Sequence, residues 1–234
     1  MEEKIAALNH LFLDTAPGEL LSWFTTEFKG KVSFSTSLGA EDQVISHFIA
    51  MQKLPVKIFT LDTGRLYQET YDLLAITRKK YDLDIDIYFP DPARVEAMVN
   101  AKGINLFYES IENRRLCCHI RKIEPLTRAL AGVEVWITGM RKEQSVTRSG
   151  ASLIEWDPVL KIIKVNPLIQ WSNEIVWQYI HDHKIPVNEL HLKGYPSIGC
   201  LPCTRPIQPG EDVRSGRWWW ELPQFKECGL HAKH

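Results

Sequence analysis

The sequence has 234 residues, of which 44% are hydrophobic and 24% are charged, as is typical of a globular protein with a buried core. Its formal net charge of −1 argues against a main role in binding nucleic acid or an acidic membrane surface. The acidic start MEEKIAALNHLFLD lacks the basic segment and apolar core of a signal peptide, and no apolar run is as long as a membrane span. We therefore expect a cytoplasmic protein whose thiols stay reduced.

The predicted elements alternate between helices and strands. Two amphipathic helices, around residues 3–13 and 18–28, precede a β-branched strand, KVSF, and a helix that follows STSLGAED. Three further strands are predicted at VKIFT, LDIDIYF and VEVWIT, separated by helices over residues 66–81 and 116–131. This alternation predicts an α/β fold, a doubly wound and mostly parallel sheet with helices on both faces.

The character of the sequence changes after residue 150. LIEWDPVLKIIKVNPL predicts a hairpin or a strand pair at the sheet edge, and SNEIVWQYIHDH predicts a helix with Ser172 as its N-cap. Gly, Pro, Cys and Arg dominate from Gly194 onward. We predict N-terminal helices over residues 1–30 that pack on the core, an α/β domain over 31–210, and a C-terminal tail over 211–234.

A turn rich in hydroxyl groups follows the first predicted strand. Ser35, Thr36 and Ser37 offer hydroxyls, and Gly39 is predicted to allow a tight turn before the free N–H groups of the next helix. Such a turn suits a phosphate or a sulfate, although an ordinary capped turn would have the same composition. It is neither a G-x-G-x-x-G nor a Walker loop, which argues against hydride transfer and P-loop chemistry.

Two more polar segments follow the second and fourth strands. The first is the LDTGR turn, which comprises Leu61, Asp62, Thr63, Gly64 and Arg65. Its Asp and Thr are alternatively N-caps of the helix over 66–81, and its Arg a solvated charge. The second is GMRKEQSVTR, either a charged surface loop or a basic rim that includes Arg141, Lys142 and Arg148. Because parallel strands end at one edge of a sheet, these segments together indicate a nucleotide site.

The five cysteines fall into an adjacent pair, a C-x-x-C pair and a single residue: Cys117, Cys118, Cys200, Cys203 and Cys228. Two pairs and one single cysteine indicate a metal site with four thiolate ligands and one thiol that has another role. Zinc usually takes cysteines spaced so that both sulfurs converge on one ion. A [4Fe–4S] cube gives each thiolate its own iron, so we favour the cube for a site with adjacent cysteines.

Two residues that follow the adjacent cysteines, a lysine and a proline, are expected to shape the surroundings of these cysteines. Lys122 lies one helical turn beyond Cys118 and is predicted to share its face; the alternative is a surface lysine on a basic helix. Pro125 is predicted to end or kink the same helix.

From about residue 31, the sequence resembles the assimilatory adenylyl-sulfate (APS) and phosphoadenylyl-sulfate (PAPS) reductase family, most closely its cluster-bearing bacterial APS reductases. The resemblance is carried in order by STSLGAED, LDTGR, CCHIRK, GMRKEQSVTR, NPL, GYPSIGCLPCTRP, GRWWWE and KECGLH. It implies an adenine-nucleotide alpha-hydrolase-like fold with a [4Fe–4S] cluster on the four paired cysteines. It also implies that Ser35 to Gly39, the LDTGR turn and the loop from Gly139 to Arg148 hold the adenylyl part.

Further roles implied by the resemblance concern a mobile C-terminal tail. Cys228 would be the nucleophile, and its thiolate would be favoured by Lys226 and His231, the latter also a predicted substrate contact. Its attack would expel AMP and leave an S-sulfonated cysteine, from which thioredoxin or glutaredoxin would release sulfite. The tryptophans of GRWWWE are predicted to pack the base of the tail against the domain. The cations expected to face the phosphosulfate are Lys122, Arg214 and Arg217.

Alternatives to this interpretation stay open. The same chemistry on PAPS would require cations near the ribose 3′ position, for which Arg141 or Lys142 would serve. An ATP pyrophosphatase that transfers sulfur would not need Cys228, although STSL departs from the S-G-G-x-D-S pattern of that group. An iron–sulfur redox sensor that binds a nucleotide would not need Cys228 either. A homo-oligomer is compatible with the sequence.

Overall fold

A computed structural model describes residues 1–144, 150–222 and 226 of the chain. Contacts divide the chain into two units, each built from segments that are distant in the sequence. Unit 1 comprises Met1–Thr60, Glu69–Asp86 and Gly132–Asn188, and unit 2 comprises Leu61–Gln68, Ile87–Ala131 and Glu189–His234. The predicted division near residues 30 and 210 stays a prediction.

Six strands form one sheet in the order β3-β2-β1-β4-β6-β5. The pairs β1–β2, β1–β4 and β4–β6 are parallel, and β5 lies antiparallel to β6 at the edge. The predicted α/β class and the predicted strand pair at the edge are therefore confirmed. The strands are β1 Val32–Ser35, β2 Lys57–Leu61, β3 Ile85–Tyr88, β4 Val135–Ile137, β5 Ile154–Asp157 and β6 Ile162–Val165.

Eight α-helices lie among the described residues. The predicted helix near residue 172 begins as expected, because the hydroxyl of Ser172 accepts a hydrogen bond from the backbone N–H of Ile175 at 3.3 Å. One helix was not predicted: Asp91 caps it at the N–H of Arg94, and Pro92 occupies its first turn. The helices are α1 Glu2–Leu11, α2 Pro17–Glu27, α3 Ala40–Met51, α4 Gln68–Tyr81, α5 Pro92–Lys102, α6 Ile111–Cys118, α7 Glu124–Ala129 and α8 Asn173–Asp182.

The central strands of unit 1 are buried because their side chains are apolar on both faces of the sheet. Phe34 of β1 lies in register with Ile58 of β2 and Ile137 of β4, and all three are buried. The edge strand β5 is covered by α1: the Asn9 side-chain amide donates to the carbonyl of Ile154 and accepts from its N–H, at 2.7 and 3.0 Å. An N-terminal helix thus satisfies backbone groups at a sheet edge.

The helix predicted over residues 116–131 is wrong in its start, and the interruption predicted at Pro125 takes the form of a π-helical turn just before that residue. The helix begins at Ile111, where Ser110 caps the N–H of Asn113 at 3.1 Å, and it is divided into α6, a π-helical turn at His119–Ile123, and α7. The N–H of Glu124 donates to the carbonyl of His119, five residues back. Pro125 has no N–H to donate, and it lies at the start of α7 after this widened turn.

Unit 2 has its own apolar core. Met98, Leu106, Phe107, Ile120 and Trp218 are buried there together with the four paired cysteines. Within residues 1–144 and 150–222, there is no helix long and apolar enough to cross a membrane.

Candidate active site

The hydroxyls of the turn after β1 are used to shape the turn itself. The Ser35 hydroxyl accepts from the indole N–H of Trp136 at 2.8 Å, and that of Thr36 accepts from the N–H of Leu38 at 3.0 Å. The N–H and hydroxyl of Ser37 both donate to one carboxylate oxygen of Asp42, at 2.5 and 2.6 Å. The Ser37 hydroxyl is thus committed as a donor to Asp42, whereas the hydroxyls of Ser35 and Thr36 act as acceptors in these bonds and can still donate to an anion.

The backbone of this turn differs from the prediction. Leu38, with φ of 61°, takes the left-handed conformation, and Gly39 is extended, with φ of −70° and ψ of 168°. The prediction that Gly39 provides the tight turn is therefore wrong. The N-cap of α3, Gly39, has no side chain to cap the helix, and the first N–H groups of such a helix suit an anion, as predicted.

The loop after β4 is packed against the start of α3. A β-carbon added at Gly139 would lie 2.0 Å from Oδ1 of Asp42 and 3.2 Å from its backbone nitrogen, so only glycine fits. Arg141 is buried: Nε donates to Glu41 at 2.8 Å, Nη1 to the carbonyl of Trp171 at 3.2 Å, and Nη2 to Asn173 at 3.4 Å. Unit 1 thus brings Gly139 and Arg141 against the start of α3, where Asp42 also holds Ser37, whereas Lys142 is exposed. Arg148 lies outside the described residues.

In unit 2, the LDTGR turn is held by its own polar side chains. Asp62 accepts from the N–H of Gly64 at 2.7 Å, and Thr63 accepts from that of Arg65 at 3.2 Å. Gly64 has φ of 70°, a conformation that favours glycine. The interpretation of Asp62 and Thr63 as N-caps is wrong, because α4 begins only at Gln68.

The same turn contacts the segments that carry the cysteines. The Thr63 hydroxyl lies 3.2 Å from the sulfur of Cys200, at hydrogen-bond distance. The Thr63 carbonyl accepts from Nη1 of Arg121 at 2.6 Å, and that of Arg65 accepts from the N–H of Leu201 at 2.8 Å. The LDTGR turn, predicted to hold the adenylyl part, is therefore also built into the surroundings of the cysteines.

The four paired cysteines line one cavity in unit 2. They are buried, with 7 to 9% of their surface exposed, although Cys200 lies 83 positions after Cys117 in the sequence. No group of three or more His, Cys, Asp or Glu side chains in the described ranges is arranged to hold a single metal ion. The other side chains that line the cavity are aromatic, cationic or proline: Arg65, Phe107, Arg114, Arg121, Lys122, Pro202 and Trp218.

The thiols differ in their electrostatic surroundings. Burial raises the pKa of Cys117, and it raises the pKa of Cys203 to about 12, with a further contribution from Cys200. Cys200 behaves in the opposite way. Burial acts to raise its pKa, but the charge of Lys122, the hydrogen bond from Thr63 and the nearby arginines together lower its pKa below the usual value. The cavity thus favours a thiolate at Cys200.

The GRWWWE segment returns the chain to this cavity. The backbone N–H of Trp218 donates to the carbonyl of Cys203 at 3.0 Å, and its side chain is buried. Arg217 donates from Nη1 to the carbonyl of Ile198 at 3.1 Å, and its guanidinium lies 4.7 Å from the centre of the Trp218 ring. The packing predicted for the tryptophans is confirmed for Trp218, whereas Trp219 is 39% exposed.

The last described residue of the tail is held by residues 214 and 215. Nη2 of Arg214 donates to the carbonyl of Lys226 at 3.2 Å, and Nζ of Lys226 donates to the carbonyl of Ser215 at 3.1 Å. The predicted nucleophile Cys228 and the predicted contact His231 lie outside the described residues.

Two arginines that line the cavity, Arg114 and Arg121, were not predicted from the sequence as site residues. Both lie four positions from a cysteine, Arg114 from Cys118 and Arg121 from Cys117. Helical spacing of four places side chains on one face, the same signal that predicted Lys122 beside Cys118. Arg114 contacts Glu221 and Arg121 contacts Thr63, and both partners are distant in the sequence. No local spacing predicts these contacts.

A family profile described as "Phosphoadenosine phosphosulfate reductase domain" matches residues 31–206. The chain belongs to this family. It is 50% identical over 220 residues to an adenosine 5'-phosphosulfate reductase from Allochromatium vinosum, a match that covers 94% of this chain and 86% of that protein. It is 51% identical over 201 residues to the protein of the same description from Burkholderia cepacia, with 86% of this chain and 80% of that protein covered.

Solved structures agree with the family. A phosphoadenylyl-sulfate (PAPS) reductase from Candida auris, in a phosphate complex, superposes with a TM-score of 0.76 at 32% identity, covering 86% of this chain and 96% of that chain. The predicted adenine-nucleotide alpha-hydrolase-like fold is thereby confirmed. An FMN adenylyltransferase from Candida glabrata has a TM-score of 0.59 at 16% identity, covering 92% of this chain and 73% of that chain, and shares the fold alone.

Proposed function

We propose that this chain reduces APS to sulfite and AMP in assimilatory sulfate reduction, using a dithiol protein as the reductant. The observation that carries the proposal is the division of the cysteines. Four of them line one cavity, which leaves one cysteine in the sequence, Cys228, for covalent chemistry. Identity of about half with proteins named adenosine 5'-phosphosulfate reductase supports APS as the substrate.

The residues of the cavity fit a [4Fe–4S] cluster. Its four thiols are buried among aromatic and cationic side chains, and a cube provides one iron for each of Cys117, Cys118, Cys200 and Cys203. When bound, the cluster supplies a fixed, negatively charged group that orients the neighbouring cations. Replacing Cys203 with Ser is expected to lower the iron content of purified protein, and an unchanged content would contradict this assignment.

The substrate is an anion, and both units carry groups that suit anions. We assign the adenylyl part to the turn Ser35 to Gly39, the LDTGR turn and the loop that begins at Gly139. The phosphosulfate is assigned to the cations of unit 2, Lys122, Arg214 and Arg217. In support, Lys122 lines the cavity of the cysteines, and Lys122 and Arg217 both lower the pKa of Cys200 by their charge.

The proposed first step is attack of the Cys228 thiolate on the sulfur of the phosphosulfate. An S–S bond forms, the bond between sulfur and the bridging oxygen breaks, and AMP leaves with the electron pair. The cations stabilise the charge on the leaving phosphate, and Lys226 and His231 favour the thiolate. The product is an S-sulfonated Cys228.

In the second step, a thiolate of thioredoxin or glutaredoxin attacks the Cys228 sulfur. Sulfite leaves with the electron pair of the S–S bond, and the mixed disulfide is resolved by the second thiol of the reductant. The dithiol is oxidised to a disulfide while sulfate sulfur is reduced to sulfite, so the electrons balance without a contribution from the cluster. The reaction requires a compartment with reduced dithiols, and we assign it to the cytoplasm.

PAPS is the nearest alternative substrate, supported by the description of the Candida auris relative. It would require a cation for the 3′-phosphate. Arg141 would have to give up its buried contact with Glu41 to provide one, whereas Lys142 is exposed. Comparison of kcat/KM for APS and PAPS is expected to favour APS by at least about tenfold, a difference of about 1.4 kcal/mol.

The central step is tested by mass spectrometry after the protein is mixed with APS in the absence of reductant. We expect a sulfonate adduct on the peptide that contains Cys228, removed on addition of thioredoxin. Cys228→Ser should form no adduct and produce no sulfite while it still binds AMP. Sulfite production at the wild-type rate by Cys228→Ser would contradict the proposal.

A further inference from the structure

A buried ion pair joins the helix of the adjacent cysteines to the C-terminal segment. Arg114 of α6 donates from Nε to Oε1 of Glu221 at 3.0 Å and from Nη2 to Oε2 at 2.8 Å. The side chains of Arg114 and Glu221 are only 1% and 3% exposed. Two parallel hydrogen bonds fix direction as well as distance, so this pair determines the position of residue 221 relative to α6.

Arg114 also contacts the cysteine cavity directly. It lies one helical turn before Cys118, forms a hydrogen bond with that side chain, and lines the cavity. Its guanidinium lies 4.8 Å from the centre of the Trp218 ring, whose backbone N–H is bound to Cys203. One side chain therefore contacts a cysteine of the adjacent pair, the indole beside the C-x-x-C pair, and the start of the tail.

Stability alone does not explain such a pair. Two buried charges lose their hydration, and replacing them with apolar side chains of similar size is often neutral or stabilising. The bidentate geometry does provide a fixed point for the chain. Cys228 follows Glu221 by seven residues in the sequence, and a displacement of about 1 Å in a reacting group can slow a reaction by about 100-fold.

We propose that Arg114 and Glu221 are positioning residues that couple the cysteine cavity to the tail, so that Cys228 is delivered to the phosphosulfate in a reactive geometry. This inference rests on the function proposed above, because it assigns the first covalent step to Cys228. We assign the pair no contact with the substrate or with the reacting atoms. Its effect is on the rate of the first step at saturating APS, with little effect on nucleotide affinity.

The test compares Glu221→Gln with a matched control, Glu124→Gln. Glu124 also pairs with an arginine of unit 2, Arg94, at 2.9 Å, but that arginine is 55% exposed. Glu221→Gln is expected to lower the single-turnover rate of Cys228 sulfonation, per iron-loaded chain, by about 10- to 100-fold. AMP affinity and iron content should stay within about twofold of wild type, and the control should match wild type in all three.

A second measurement does not depend on catalysis. Lys226 is a trypsin site held by Arg214 and Ser215, and cleavage after it releases the peptide 227–234. If the ion pair anchors this segment, Glu221→Gln should speed release of that peptide several-fold, whereas Glu124→Gln should not. If wild type forms no sulfonate adduct, the proposed function fails, and this proteolysis still tests the anchoring.

Because Glu221→Gln leaves a buried arginine without its carboxylate, the double variant R114M/E221M is a second test. It removes both charges, so it is expected to keep wild-type thermal stability but retain the slow first step, measured per iron-loaded chain, and the fast proteolysis. Restoration of the wild-type rate in R114M/E221M would overturn the proposal. So would a rate loss in Glu221→Gln that only parallels its loss of iron.

Discussion

Gly199 lies against the guanidinium of Arg217, and substituting it with alanine would disturb a predicted phosphosulfate contact. A β-carbon at this position would lie 2.3 Å from Nη2 and 2.5 Å from Cζ of Arg217. The shorter distance is about 1.1 Å below the 3.4 Å at which ordinary van der Waals contact begins. Arg217 has little room to yield, because it is bonded to the carbonyl of Ile198 and packs on the ring of Trp218. Gly199→Ala should therefore displace it.

We expect Gly199→Ala to lower kcat/KM for APS by about 100-fold, or about 2.7 kcal/mol, the usual cost of losing one donor to a developing oxyanion. Rates are measured per iron-loaded chain, because the next residue is Cys200. The control is the same methyl group in an Arg217→Ala background, where the colliding guanidinium is absent. There Gly199→Ala should change kcat/KM by less than about twofold. Multiplicative losses in the double variant would refute the reasoning.

Two further predictions concern unit 1. Gly139→Ala places a β-carbon 2.0 Å from Oδ1 of Asp42 and should lower the free energy of unfolding by about 1–3 kcal/mol in urea titrations; wild-type stability would contradict this contact. Burial, followed by the charges of His183 and Lys80, lowers the pKa of His47 from its usual value of 6.5, so the unfolded chain accepts a proton there at a higher pH than the folded chain does. Stability from this site should be present above pH 6.5 and be lost as pH falls through the lowered pKa. The melting temperature should therefore drop less on acidification in His47→Gln, and parallel pH profiles would count against the shift.

The sheet could be predicted because its signals are local. Short β-branched runs alternate with amphipathic helices, and this pattern identifies parallel strands without any knowledge of their order. The segment around the adjacent cysteines was predicted less well. A proline at position 125 signals an interruption, but whether a helix ends, kinks or widens there depends on packing. In unit 2 it widens into the π-helical turn His119–Ile123.

The candidate site was predictable in its cysteines and only partly in its cations. Pairs of cysteines at short spacing indicate a shared metal or cluster site from sequence alone. A basic residue carries no such information, because its role depends on what it contacts. Arg141 was predicted as a substrate contact, yet its guanidinium donates to Glu41, Trp171 and Asn173. Contacts of this kind join residues far apart in the sequence, and no local pattern encodes them.

The contacts of the buried arginines bear on how the proposed anion site can form in a chain with a net charge of −1. The charge of Arg114 is neutralised by the buried carboxylate of Glu221. Arg114 therefore fixes the position of the chain and adds little to the electrostatic field of the cavity. In the part of the chain that the structure describes, Arg121 and Arg217 instead donate to backbone carbonyls and form no ion pair with a carboxylate. Their charges are therefore not paired with a carboxylate and act on Cys200, whose pKa they help to lower. Within unit 2, the electrostatic field of the proposed phosphosulfate site therefore depends on which arginines have carboxylate partners, and not only on how many arginines there are.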